Sequence, residues 1–319
     1  MTTVAVLRRV AGRKIPGVVV VRDVLIAAST GLVLLVLLWP TDGVATWLLR
    51  RWKIGEPTPP QVAEAVRYLK RRRLLYPWLF VACAWPAVPL PVDGLVSGLL
   101  VTLLSGALLA ELTALRPGSD RHRVVSPAHR GVFDLVPRTA VAVLGVFAAA
   151  TLALVAAALA ARDWVEQVAE RVVDGQIEGP DGVTTTPLNR GELLDGTPWW
   201  VLGGLVLTLL VVAAVVRAAL VRPASGDPDV DAVLRTRSAR VAVGVGVAIT
   251  GVLMSTAGTR LSKIASFDQV PGSPAVPGWL PASGSALWAV AVFGQLVALA
   301  CWWLFVDPPH RARWARANA

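Results

Sequence analysis

Charge is what this 319-residue chain has least of. Asp, Glu, Lys and Arg make up 16% of it, against 55% hydrophobic residues and a mean hydropathy of +0.61. A soluble globule carries about 25% charged residues, because polar groups must cover its surface. This chain cannot face water on all sides, which excludes most soluble enzyme folds. Histidine is almost as scarce. The three present, His122, His129 and His310, all fall outside the apolar blocks. That removes the base of an intramembrane Ser–His protease, the ligands of an intramembrane zinc protease and the axial ligands of a haem. Cys83 and Cys301 both lie inside apolar blocks, too few and too far apart for a disulfide framework or a metal site. The chain has no HExxH and no GxxxxGK[ST], and Gly94-Leu95-Val96-Ser97-Gly98 fails the GxSxG spacing. No cofactor or metal is expected.

What is present is a series of apolar blocks near the ~20 residues needed to cross a hydrocarbon core. Six run over 76–92, 94–115, 139–161, 198–220, 241–258 and 285–306. The first two, separated by Val92 and Asp93 after a Pro-rich stretch, read as a tight hairpin. Tyr76, Trp78, Trp199, Trp200, Trp288, Trp302 and Trp303 mark block ends, at the depth where amphipathic rings suit the headgroups. The expected fold is a polytopic all-α transmembrane bundle forming one membrane domain over 1–319.

Loop charge gives the orientation. Residues 41–75 hold eight Lys/Arg, 116–138 five, 221–240 four and 307–319 three, whereas 162–197 has three Arg against eight acids. Residues 259–284 have only Arg260 and Lys263 with Asp268. The positive-inside rule places the first group, with the C-terminus, in the cytoplasm and the other two loops outside. The overall excess, 31 Lys and Arg over 21 Asp and Glu, belongs to this bias. It is spread over four loops, so it does not point to nucleic acid. Residues 16–39 are apolar apart from Arg22 and Asp23, with basic segments on both sides. Charge favours a re-entrant or interfacial hairpin turning at Pro40-Thr41-Asp42-Gly43. Length favours a seventh span, because so long an apolar run is hard to hold at half depth.

Within the cytoplasmic segments, 57–73 carries a helix signal. Thr58 and Gln61 fit a capping box around two prolines, and Val62, Val66 and Leu69 form an apolar stripe. Arg67, Lys70, Arg71, Arg72 and Arg73 form its basic end. They suit either headgroup anchoring or docking of a cytosolic partner or anionic lipid. Outside, 162–174 reads as an amphipathic helix with Trp164, Val165, Val168 and Val172 on one side. Residues 176–186 read as a small hairpin around Gly179-Pro180-Asp181-Gly182.

Ionisable residues at membrane depth are costly and therefore candidates for function. Glu111 and Arg217 lie at similar depth near the cytoplasmic ends of their spans, where they can pair with each other or snorkel. Gln295, near the middle of the last span, requires a hydrogen-bond partner on another helix, for which Ser255 and Thr256 are placed. Small-residue steps (Gly94/Gly98, Gly244/Ala248, Gly251/Ser255) favour close helix packing, within the bundle or against another subunit. Leu115-Arg116-Pro117-Gly118-Ser119 and Val221-Arg222-Pro223-Ala224-Ser225 suggest a duplicated hairpin, 94–161 and 198–258.

These Arg-Pro loop openings, the Arg67–Arg73 helix and the Ala/Val/Leu spans resemble the multi-span membrane proteins of GC-rich actinobacteria. The resemblance implies a bacterial plasma membrane and carries over no catalytic or binding residue. Two functions remain as expectations. One is a non-catalytic membrane subunit, or permease-like accessory component, of a transport complex, whose 54–75 and 221–240 loops engage a cytosolic partner such as a separate ATPase. The other is a membrane enzyme acting on lipid-linked substrates at the cytoplasmic interface through His122, His129 and Asp134. The lack of assembled chemistry favours the first.

Overall fold

The computed structural model describes residues 39–74, 131–180, 182–221 and 227–306, with residues 29, 32, 33, 35, 36, 104, 105, 107–109 and 111 described singly. The principal elements are α1 (Asp42–Arg51), α2 (Pro59–Leu74), α3 (Arg138–Ala160), α4 (Arg162–Arg171), β1 (Gln176–Gly179), β2 (Gly182–Thr185), α5 (Thr197–Val221), α6 (Pro228–Ala265) and α7 (Gly284–Val306). Among the described residues the class is all-α apart from one two-stranded hairpin. Among the described residues, four helices are long and apolar enough to cross a membrane: α3, α5, α6 and α7. They coincide with the blocks 139–161, 198–220, 241–258 and 285–306. The block 76–92 and most of 16–39 lie outside the described residues. So does most of 94–115, although its six described positions are helical and turn Leu104, Leu108 and Glu111 inward.

The main departure from the sequence reading is α6. Residues 228–240, expected as loop, the span 241–258 and residues 259–265, expected as the start of an outer loop, are instead one helix of 38 residues. At 1.5 Å per residue it is about 57 Å long, well beyond the ~30 Å hydrocarbon core. Asp227 starts it as N-cap, its side chain accepting from Asp229 N–H and Val230 N–H, with Pro228 in the first turn. The helix is the axis of the bundle: 89% of its membrane-length window is buried, against 39% for α3, 33% for α5 and 11% for α7.

Small residues let the other spans close on this axis. Gly244, Gly251 and Gly258, seven apart, face α7 at Trp302, Ala298 and Ala291. On another side Gly246 meets Val212 of α5. A seven-residue repeat keeps one stripe of a helix against its partner, so each missing Cβ brings the backbones together along the same seam.

Each end of the bundle has its own assembly. At one end α1 and α2 bury Ala45, Leu48, Leu49, Trp52, Ala65, Val66, Tyr68 and Leu69 against Val230, Val233 and Leu234 of α6. We call this the basic end. Thr41, within the segment expected to turn, is in fact the N-cap of α1, accepting from Val44 N–H at 3.3 Å. At the opposite hairpin end, α4 buries Trp164, Val165, Val168 and Ala169. Trp164 meets Phe267 edge-to-face at 6.2 Å. The hairpin pairs Gln176 with Thr185 and Gly179 with Gly182. It packs on the segment after α6, where Gly272, at φ 85°, lies against Glu178 O. A side chain at Gly272 would both strain the backbone and strike β1.

Candidate functional site

Two polar assemblies, one at each end of α6, are the candidates. At the basic end the polar positions of α2 recur three and four apart, which places Gln61, Glu64 and Tyr68 on one stripe facing α6. Gln61 Nε2 donates to Asp227 Oδ2 at 2.9 Å. Glu64 Oε2 accepts from Asp227 N–H at 3.3 Å. Tyr68 OH donates to Glu111 Oε2 at 2.6 Å, and Ser238 Oγ donates to the same oxygen at 2.8 Å. Arg237 Nη1 donates to Tyr68 OH at 3.3 Å, with its guanidinium carbon 5.8 Å from the ring centroid. Glu111 is wholly buried. The carboxylate of one apolar block is thus held by hydroxyls from the surface helix and the axial helix.

Gln61 also accepts from Thr58 N–H at 2.8 Å, the glutamine half of the expected capping box. Burial opposes ionisation of Asp227, but bonds from Gln61 and from Val230 and Asp229 N–H outweigh it. They hold the carboxyl below its ordinary value of 3.8.

The opposite face of α2 is basic. Arg67, Lys70 and Arg71, at i, i+3 and i+4, are exposed together, and Arg73 is half-buried. Nothing is described for the Arg72 side chain. Arg50, Arg51 and Lys53 at the end of α1 are exposed as well, with Arg51 lying 5.0 Å over the Trp47 ring.

At the hairpin end Arg260 of α6 is buried. It forms an ion pair with Asp195 through Nη1 and donates through Nη2 to Leu193 O at 3.0 Å. Asp195 also accepts from Thr197 N–H at 3.0 Å, so one carboxylate holds both the arginine and the start of α5. Two cavities share this pair, one of about 280 Å3 and one of about 50 Å3. A wider crevice of about 450 Å3 among Phe147, Met254, Phe293 and Val297 is apolar and offers no reacting group.

The arginines of α6 do more than neutralise charge. Arg240 Nε donates to Phe305 O at 3.0 Å, near the C-terminus of α7. Arg235 lies 2.6 Å from Asp231 Oδ2, and its Nη1 reaches Ala219 O near the C-terminus of α5 at 3.5 Å. Cations at helix C-termini satisfy carbonyls left without intrahelical partners and complement the helix dipole. Arg235 and Arg240, expected as charges of a cytoplasmic 221–240 loop, are instead buried braces between helices.

Other candidates land differently. Glu111 neither pairs with Arg217 nor snorkels, because it is enclosed by Tyr68 and Ser238, whereas Arg217 is exposed on α5. Gln295 is half-buried on α7 with its backbone beside Gly251. Thr256 Oγ1 donates to Val252 O on its own helix at 3.1 Å, and among the described residues no bond joins it to Gln295. Asp134 accepts from Gly131 N–H at 2.8 Å, starting the short turn Val132–Leu135. His122, His129, His310, Cys83, Gly94, Gly98 and the two Arg-Pro segments lie outside the described residues. Tyr68, Ser238, Asp195 and Arg260 were not singled out from the sequence. The hydroxyls carried no pattern, and Arg260 was read as a loop charge.

Among the described residues, no group of three His, Cys, Asp or Glu side chains is placed to hold a metal ion. No family model, curated protein or solved structure matches the chain.

Proposed function

We propose that the protein is a non-catalytic membrane subunit, or permease-like accessory component, of a transport complex, and that the exposed face of α2 docks a cytosolic partner. The reading includes the finer topology: six spans with a seventh N-terminal hydrophobic helix, in a bacterial plasma membrane, with the basic end and C-terminus in the cytoplasm. The observation that carries it is the construction of α2. One face is fastened to α6 by part-buried bonds and to Glu111 by a buried one, while Arg67, Lys70 and Arg71 stand exposed on the other. A helix serving only as a headgroup anchor does not need a rigid mount, because snorkelling side chains adapt to the interface. A docking helix does, since a fixed charge pattern steers and orients a partner.

Support also comes from Asp134, which the enzyme reading named beside His122 and His129 as an acid–base group. Its carboxylate is engaged in starting a helical turn. The test is co-purification in mild detergent of the intact chain and of Arg67→Glu/Lys70→Glu/Arg71→Glu. These positions are exposed, and a thermal melt of the variant checks that it is folded. A defined partner that binds the intact chain, dissociates with rising salt and is lost with the variant is the expected result. Repeated absence of any partner, or one retained by the variant, contradicts the proposal.

A further inference from the structure

We infer that the larger cavity at the hairpin end is a headgroup site for a zwitterionic phospholipid carrying a phosphate and a primary ammonium. It is lined by Leu159 at the end of α3, Arg162 and Glu166 on α4, Asp195 before α5, Trp199 at the start of α5 and Arg260 on α6. Its depth follows from its walls. Two spans end there, and Trp199 in its lining is 57% exposed, where tryptophans of membrane proteins meet the headgroups. The remaining lining, including Ala158, Leu193 and Ile264, is apolar and suits the glycerol and first acyl carbons of an amphiphile.

The charges specify which headgroup fits. The floor is the Arg260–Asp195 pair, whose members also hold Leu193 O and Thr197 N–H, so it is neutral and fixed. The rim is the Arg162–Glu166 pair at 2.9 Å, with side chains 61% and 49% exposed. An exposed i,i+4 pair is weak and readily exchanges partners. A phosphate takes Arg162 in charge-assisted hydrogen bonds while a primary ammonium takes Glu166, so both halves of the rim pair are replaced. An anionic headgroup without the ammonium leaves Glu166 uncompensated beside added negative charge. A quaternary ammonium has no N–H to donate to Glu166.

This inference does not depend on partner docking at the other end of α6. It is tested by reconstituting the full chain in nanodiscs containing equal phosphatidylethanolamine, phosphatidylglycerol and phosphatidylcholine. Retained lipid is then counted by native mass spectrometry after detergent extraction. Phosphatidylethanolamine is expected to be retained preferentially, with retention falling about tenfold in both Arg162→Gln and Glu166→Gln, the scale of one charge-assisted bond. Glu170→Gln, one turn further along α4 and outside the cavity lining, is expected to behave as the intact chain. Equal retention of the three lipids overturns the assignment. So does retention in the two rim variants matching that of Glu170→Gln. Preference for phosphatidylglycerol that increases in Glu166→Gln overturns it in favour of an anionic site.

Discussion

At the residue scale, Glu111, Tyr68 and Ser238 form three mutual short contacts in which two hydroxyl protons are shared. Removing either hydroxyl takes one of two donors from the buried Glu111 carboxylate, which costs about 1–3 kcal/mol. Tyr68→Phe and Ser238→Ala are each expected to lower thermal stability in detergent by that amount. The double variant is expected to lose less than the sum, because the residues share one acceptor. Strict additivity in the double-mutant cycle would show that the network is not a unit. Asp227 gives a pH signature. Its carboxyl is held below 3.8, so its contribution is fully present above that ordinary value and is lost as pH falls through the lower folded value. The stability difference between the intact chain and Asp227→Asn is therefore expected to be constant at neutral pH and to shrink below about pH 4. Thermal melts at several pH values check it.

At the element scale, α6 explains why parts of the fold were legible and others were not. The spans α3, α5 and α7 consist of Ala, Val and Leu with almost no charge, and their hydropathy sufficed to place them within a few residues. The helix α4 and the hairpin were legible for equally local reasons, an apolar stripe and a Gly-Pro-Asp-Gly turn. The first third of α6 was not. Asp231, Arg235, Arg237 and Arg240 make it look like a loop, and only the neighbouring helices reveal that most of these charges are buried against carbonyls and carboxylates. Helix α1 was hidden by the expectation of a turn at Pro40–Gly43, although Thr41 with Ala45, Leu48 and Trp52 fits an N-cap and an apolar stripe. Packing was half legible: glycines were read at four-residue steps, whereas the seam uses Gly244, Gly251 and Gly258 at seven.

That seam gives a direct substitution test. A Cβ at Gly251 collides with Ala298 Cβ, whereas one at Gly203 on α5 meets nothing within 4 Å. Gly251→Ala is expected to cost about 1–3 kcal/mol from overpacking. Gly203→Ala is expected to be neutral or to stabilise by up to about 1 kcal/mol through helix propensity. Ala298→Gly introduced with Gly251→Ala should restore most of the loss. Thermal unfolding of the four proteins distinguishes a steric seam from a general intolerance of α6 to substitution.

At the scale of the whole molecule, α6 joins two different ends. The basic end fixes a surface helix whose exposed face is cationic, and the hairpin end encloses a charge-balanced cavity. Because α6 is buried along its length and braces α5 and α7 through Arg235 and Arg240, the ends share one rigid axis. The candidate site was visible in the sequence only from outside. Arg67 to Arg73 announced the basic face, but Tyr68, which mounts it, carries no motif and lies within that same run.

The central claim, that this face receives a protein, is tested most directly by photocross-linking in intact cells. A photoreactive residue is placed in turn at Arg67, at Lys70 and, as control, at Glu166 on the opposite end. The account predicts one discrete protein adduct from 67 and 70 and none of that mass from 166. Adducts to lipid alone at 67 and 70, or the same protein adducts at all three positions, would contradict it.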